Sequence, residues 1–270
     1  MGGEESPVLT LSADGDVRIV TLNRPDHLNG VSEELHRRLA EIWDELAADA
    51  EARAVVLTGA GRAFSAGGDF GHLLRHHSDP ALRERSIRLD RAIQTAMIRF
   101  PLPLVAAVNG PAVGLGCSLA LGCDLVLMAD DAYLADPHVS VGLVAGDGGV
   151  TLWPLLTSLL RAKEYLFTGD RIPAEKAVEI GLANRVVPAA ELSGQALALA
   201  HRLAAQPAEA LRATKAALAV VVEQVSRGGM EAALMAERST MASPDYLRIV
   251  SALASGGTGR RSSGHRNQEV

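Results

Sequence analysis

Aromatic residues are scarce in this chain: Phe, Trp and Tyr make up 3% of 270 positions. A ligand pocket is therefore expected to be aliphatic, without stacked rings. Cysteine is rarer still. Cys117 and Cys123 lie six apart in one glycine-flanked segment, which does not suit a disulfide, and CxxC metal spacing is absent. Few cysteines, and no apolar leader in MGGEESPVLT, point to a reduced, cytoplasmic protein. No apolar run approaches the ~20 residues of a membrane span, so no membrane partner is expected. Positive charge is not in excess either. With 26 basic and 32 acidic residues the net charge is −6, which removes the electrostatic case for nucleic acid as the main partner.

What is present is a core-forming α/β pattern. Hydrophobic residues reach 48%, enough for one large domain or two small ones. Val8–Ser12 and Val17–Leu22 read as strands joined by an Ala13–Asp16 turn. A helix is predicted from Ser32 to about Ala50, with Leu35, Leu39, Ile42, Trp43 and Leu46 on one face. Ala54–Thr58 is a buried strand. His72 to Arg85 is polar, carries His72, His76 and His77, and reads as a solvated, mobile run. Ser86–Phe100 is helical. Later segments alternate a short strand at Tyr133–Ala135 with helices, one running through Leu160. Gly228-Gly229 is expected to break the long helix before Met230–Met241. The tail from Ser255, with Arg260, Arg261 and Arg266, reads as disordered and solvated. Strands separated by helices imply parallel pairing with crossovers.

One stretch, Leu102–Asp130, organises the rest. Leu104–Val108 is a buried strand, Asn109-Gly110-Pro111 breaks it, and a small-residue helix follows Gly114, Leu115 and Gly116. Leu125–Met128 is the next strand. Such a turn aims free backbone amides at a negative charge, either a phosphate or a developing oxyanion. Gly114-x-Gly116-x-x-Leu119 is a weak dinucleotide fingerprint, because the acid at Asp130 or Asp131 comes too early and the motif sits mid-chain. A second small-residue loop, Ser65–Asp69, also follows a buried strand. Two such loops suit an oxyanion hole, in which backbone amides converge on one oxygen.

Four segments in order, LNRPDHLNGVSEEL, VVLTGAGRAFSAGGDF, PLVAAVNGPAVGLGCSLALGCDLVLMAD and FTGDRIPAEKAVEIGLANRVV, resemble the signatures of the crotonase superfamily, also called the enoyl-CoA hydratase/isomerase family. The resemblance spans roughly residues 8–190. It implies an α/β fold: a crotonase-like spiral of ββα turns over residues 1–190, then a helical C-terminal trimerisation region over 191–254, with 255–270 as tail. It implies an acyl-CoA thioester whose carbonyl oxygen is held by the amides of Ala66 and Leu115. It also implies a coenzyme A and substrate surface at Leu28, Ala66, Gly67, Gly68, Asp69, Gly114 and Leu115. Coenzyme A enters as part of the substrate and no separate cofactor is implied. Self-association as a trimer or a dimer of trimers is expected.

The departures from the family pattern narrow the chemistry. Hydratases of this family use two glutamates, and here those positions hold Ser118 and His138. Hydration needs one group to activate water and another to protonate carbon, so ordinary syn-hydration is not expected. His138 with Asp147, nine residues on, is the candidate catalytic pair, a histidine oriented by a carboxylate. Asp147 before a helix also reads as an N-cap, and Ser118 as a small packed residue without chemistry. The His/Asp pair resembles the 6-oxocamphor hydrolase branch, which cleaves β-diketones. Three functions stay open: a lyase or isomerase acting through a thioester enolate, a C–C hydrolase, and a non-catalytic acyl-CoA-binding subunit. No His, Cys, Asp and Glu grouping has metal-ligand spacing.

Overall fold

The computed structural model describes residues 6–256. Strands β1 (Leu9–Asp14) and β2 (Val17–Leu22) pair antiparallel. They close on a two-residue turn, tighter than the patterning suggests, because Gly15 adopts φ 58°. Helix α1 (Glu33–Ala48) starts where Ser32 Oγ accepts the Leu35 amide, and it buries the apolar face its periodicity marks. After β3 (Ala54–Gly59), the run expected to be mobile forms two helices, α2 (Phe70–Ser78) and α3 (Pro80–Arg99). Asp69 caps the first and Asp79 the second, so local capping overrides the polar composition.

The organising stretch folds as strand, turn, helix, strand: β4 (Leu104–Val108), β5 (Ala112–Val113), α4 (Leu115–Leu121) and β6 (Leu125–Ala129). Next come β7 (Tyr133–Ala135), α5 (Gly149–Leu156) and α6 (Leu159–Thr168). The single helix predicted through Leu160 is thus two, the second capped by Ser158. Elements β8 (Ile172–Pro173), α7 (Ala174–Glu179) and β9 (Arg185–Val187) complete the spiral. Three helices follow: α8 (Leu192–Ala204), α9 (Ala208–Thr240) and α10 (Pro244–Gly256).

Six strands form the main sheet in the order β1-β2-β3-β4-β6-β9, all parallel after the first hairpin. Strands β5, β7 and β8 form a second, shorter sheet. Successive turns of chain place one strand in each: β4 then β5 before α4, β6 then β7 before α5. The second ladder extends backwards through single bridges, Ser65 to Ala112 and Val31 to Gly68. This is the ββα spiral in backbone terms. Helix α8 packs on β2, β3, β4 and β6, so it shares the core of the sheet. Helix α9 packs on α3 and α5, and α10 lies against α2.

Gly228 and Gly229 do not break α9. A helical glycine costs only ~1 kcal/mol relative to alanine, and packing against two helices outweighs two of them. Ser255 and Gly256 end α10, while Arg260, Arg261 and Arg266 lie outside the described residues. At both helical glycines an added Cβ meets nothing within 4 Å. Replacing Gly228 and Gly229 together with alanine should therefore raise stability by ~1–2 kcal/mol. Chemical denaturation reads this directly, and a lower midpoint would show that α9 is interrupted there.

Candidate active site

The second ladder brings three chain segments to one end. Val113 pairs with Ala135, and the Val113 amide donates to the Ser65 carbonyl at 2.9 Å. One to three residues further on, each strand delivers its site residues: Gly67 and Gly68, Gly114 and Leu115, then Asp136 and His138. Gly114 adopts φ 53°, and a Cβ there would stand 3.4 Å from His138 Cε1. Gly116 allows α4 to lie on the neighbouring loop, since a Cβ would meet Ser65 Cβ at 2.6 Å. Gly67, Gly68, Gly114, Leu115 and His138 open onto a cavity of about 450 Å³.

His138 is buried between two carboxylates. Its Nδ1–H donates to Asp136 Oδ1 at 2.5 Å, and its Nε2–H faces Asp147 Oδ2 at 3.2 Å. Burial opposes a charged ring, but Asp147 and then Asp136 outweigh it and hold the His138 pKa well above the usual histidine value. Asp147 is held from a second side, where Ser118 Oγ donates to Oδ1 at 3.0 Å. Gln94 Nε2 donates to the Gly146 carbonyl at 2.9 Å and pins the same loop. Asp147 is not a helix cap: α5 is capped by Gly148, with no side-chain bond. Ser118 is buried and small, as its position suggests, yet it carries part of the site by fixing Asp147. Asp136, two residues before His138 in sequence, is a site residue that sequence reasoning passed over.

The two predicted oxyanion donors fare differently. The Ala66 amide is engaged with the Leu28 carbonyl at 2.9 Å, because Leu28, at φ 51°, presents that carbonyl to it. Ala66 is therefore not a free donor. In its loop the Gly67 amide bonds Ser65 Oγ and the Asp69 amide bonds the Val31 carbonyl. Gly68 keeps an amide with no partner among the described residues, and so does Leu115. Ala66, Gly67, Gly68, Gly114 and Leu115 line the cavity. Leu28 and Asp69 stand outside its wall. The Asp69 carboxylate caps α2 and pairs with Arg24 Nη2 at 3.1 Å.

Asp136, His138 and Asp147 also form a group of metal-ligand type, with one atom from each within 4.8 Å of the others. The arrangement suits a proton better than an ion. An ion on Nε2 would sit beside Asp147 while Asp136 stays bonded to Nδ1, giving two protein ligands where catalytic zinc takes three.

The family model for enoyl-CoA hydratase/isomerase matches residues 12–248. The chain belongs to the enoyl-CoA hydratase/isomerase family. It is 32% identical over 209 residues to the short-chain-enoyl-CoA hydratase of Clostridium acetobutylicum, covering 77% of this chain and 79% of that one. It is 34% identical over 204 residues to the 1,2-epoxyphenylacetyl-CoA isomerase of Escherichia coli, covering 75% and 78%. A crystal structure of an enoyl-CoA hydratase/isomerase from Mycobacterium paratuberculosis superposes with TM-score 0.89 at 49% identity, over 93% of this chain and all of that one. The crotonase-type α/β architecture follows from this membership.

Further polar groups line the cavity that sequence reasoning left in solvent or did not single out. His72 and His76 are buried, 5% and 3% exposed. Burial pulls His72 down to about 4 and His76 to about 3, with neighbouring imidazoles adding to it. Asp90 is bonded to His36 Nε2 at 2.8 Å. Burial, then the Asp90 and Asp147 carboxylates, push Glu237 well above the usual carboxylate range. A signal was present for two of these. Asp90 interrupts the apolar stripe Ile87, Ile93, Met97 of α3, and His36 sits between Leu35 and Leu39 on α1. Glu237 carries no local mark, since its neighbours come from far along the chain.

These shifts have opposite consequences for stability. The unfolded chain protonates His76 below about pH 6.5, while the folded one resists to about 3. Wild type should therefore lose stability relative to His76→Leu as pH falls below 6.5. Folded Glu237 keeps its proton above the unfolded value of 4.5, so its contribution is present below 4.5 and lost as pH rises. Wild type should lose stability relative to Glu237→Gln as pH rises from 4.5 to 8. Melting curves of the three proteins across that range check both slopes, and parallel curves would refute the burial argument.

Proposed function

We propose that this protein is an acyl-CoA isomerase that moves a proton on the carbons beside a thioester carbonyl. The carbonyl oxygen would accept the amides of Gly68 and Leu115, and Asp147 would be the base. The observation that carries this reading is the setting of Asp147: on the cavity wall, held by Ser118 on one oxygen and by His138 on the other. Proton transfer runs in two balanced steps. Asp147 takes a proton from carbon, and the electron pair of that C–H bond passes to the carbonyl oxygen as an enolate. The enolate then collapses, and Asp147 returns the proton to another carbon of the same conjugated system. One base suffices for this, whereas hydration needs two groups acting on water and carbon. His138, as imidazolium, and Ser118 position the carboxylate and leave its remaining lone pairs toward the cavity. Among relatives, the Escherichia coli protein is itself named an isomerase.

The β-diketone hydrolase reading needs a histidine nitrogen free to take a proton from water. Both His138 nitrogens face carboxylates, which favours Asp147 as the terminal base. Coenzyme A enters as part of the substrate, and no separate cofactor is required. The exposed apolar residues Leu218, Val221 and Val225 on one face of α9 support self-association as a trimer or dimer of trimers. Buried free thiols at Cys117 and Cys123 suit a cytoplasmic setting, and no helix of the described residues is long and apolar enough to cross a membrane.

The test is a panel of 2-enoyl-, 3-enoyl- and 3-oxoacyl-CoA thioesters together with cyclic diketones, followed by mass spectrometry in deuterated water. Wild type should interconvert enoyl isomers and place deuterium at carbon. Asp147→Asn should slow both by ~10²–10⁴-fold with substrate affinity similar. Ser118→Ala should cost about tenfold, through looser placement of the carboxylate. Diketone cleavage would favour the hydrolase, thioester binding without any turnover would favour a non-catalytic subunit, and full activity in Asp147→Asn would sink the reading.

A further inference from the structure

Asp147 stands in a loop that does little to hold itself. Gly142, Gly146, Gly148 and Gly149 crowd into this one segment, so its backbone has weak conformational preferences of its own. Neither the Asp147 nor the Gly148 amide has a partner among the described residues. Ser118 and His138 hold the carboxylate, but neither holds the backbone beneath it. Gln94 does, since its Nε2 donates to the Gly146 carbonyl at 2.9 Å. That carbonyl belongs to the planar peptide unit that ends in the Asp147 nitrogen, so its direction helps to set how the Asp147 side chain leaves the loop. Among the described residues no other side chain hydrogen-bonds the backbone of residues 146–148.

Two further observations single out this contact. Gln94 is buried beside Ile93 and Met97 on α3, and its Oε1 has no partner. A buried orphan acceptor is costly, so packing alone would be better served by an apolar side chain of the same length. Gly146 is also pressed from α9. Its φ is not positive, yet a Cβ there would stand 2.4 Å from Glu237 Oε2 and 2.9 Å from the Ala233 carbonyl oxygen. Glycine is needed at 146 for space and not for conformation. Helices α3 and α9 thus hold one residue, Gly146, between them. Behind the loop lies a small cavity of about 20 Å³, walled by Gln94, Ser118, Asp147 and apolar side chains of α3, α4 and α5. We propose that Gln94 is a positioning residue for Asp147: it fixes the peptide from which the base projects while Gly146 is seated against α9. Gln94 lines that rear cavity and not the large one, so it acts without touching substrate. The inference rests on the isomerase reading, in which Asp147 is the base. Without the donor the Gly146 carbonyl is unpaired and the loop is free to relax into the space behind it. Asp147 then loses its alignment with Ser118 and His138 although both are present.

The experiment is steady-state kinetics of enoyl-CoA interconversion by the full chain. Gln94→Met keeps the length of the side chain and removes the donor, and its melting curve establishes that it folds. Its kcat should fall ~10–100-fold while KM stays within about twofold of wild type. Gly146→Ala displaces the same residue from the α9 side and should give the same split, which keeps the test open if Gln94→Met does not fold. Wild-type kcat in both variants overturns the proposal, and so does a loss confined to KM. A second readout needs no turnover: the ring N–H resonances of His138 in the unliganded, nitrogen-15-labelled protein should shift in Gln94→Met as Asp147 moves on Nε2. If wild type turns over no thioester, the isomerase reading fails by itself. An unmoved His138 resonance is then the result that overturns the role of Gln94.

Discussion

The register of the short second ladder is the constraint on which the site depends. Ser65 lies beside Ala112, and Ala112 beside Leu134, so the three chain segments that follow emerge at one level. Gly68, Leu115 and His138 belong to three different turns of the spiral, and none of them contacts another through local sequence. A slip of one residue would reverse the faces of that strand and send Gly114 away from His138. The small residues along these loops serve the same register. They allow backbone to approach backbone closely enough for two free amides to stand near one histidine.

Burial of charge is the second constraint, and it explains Ser118. Moving an imidazolium out of water is costly unless carboxylates pair with it and their other lone pairs are satisfied. His138 has a carboxylate on each nitrogen. Asp136 uses one oxygen on the ring and holds the other, unpartnered, in the core, so it orients the ring from the side away from the cavity. Asp147 uses one oxygen on the ring and receives Ser118 on the other. A larger acidic side chain at position 118 would compete for the space and the charge that Asp147 occupies. Ser118 and Asp147 are thus two halves of one arrangement.

The fold was legible where periodicity and punctuation agree. The α1 stripe, the β3 and β4 runs and the glycine turn at 114–116 all appear where the residues place them. The misreadings share one physical cause, the override of composition by tertiary packing. Residues 72–85 look solvated by polarity, but two aspartate caps and the burial of His72 and His76 make them helices over a cavity. Gly228-Gly229 looks like a break, but α9 has partners on both sides of it. His138 and Asp147, paired from the sequence, do stand together in the structure, Nε2 to Oδ2 at 3.2 Å. The Ala66 amide, expected to be a free donor, is taken by the Leu28 carbonyl, and only hydrogen bonding across to that residue reveals which amides of the loop are engaged. Glu237 was invisible, because the residues it meets are brought to it by the fold alone.

The origin of the cavity walls separates two tasks. Gly68, Leu115, His138 and Asp147 all come from the spiral, on loops between its strands and helices. The rest of the wall comes from helices laid over it: α1, α2 and α3, then Glu237 and Met241 from α9 and its end, and Ile249 and Leu253 from α10. Tyr246 ties α10 to α2 through its hydroxyl on the Leu73 carbonyl at 2.8 Å. The C-terminal helices therefore help to enclose the cavity, which would lie open to water without them. Open, it would fill with water, and the electrostatic contacts among its buried side chains would weaken. Helical side chains can change without disturbing the ladder, so the shape and lining of the cavity can be altered by replacing a few residues on α2, α3 and α9 while the loops of the spiral stay in place.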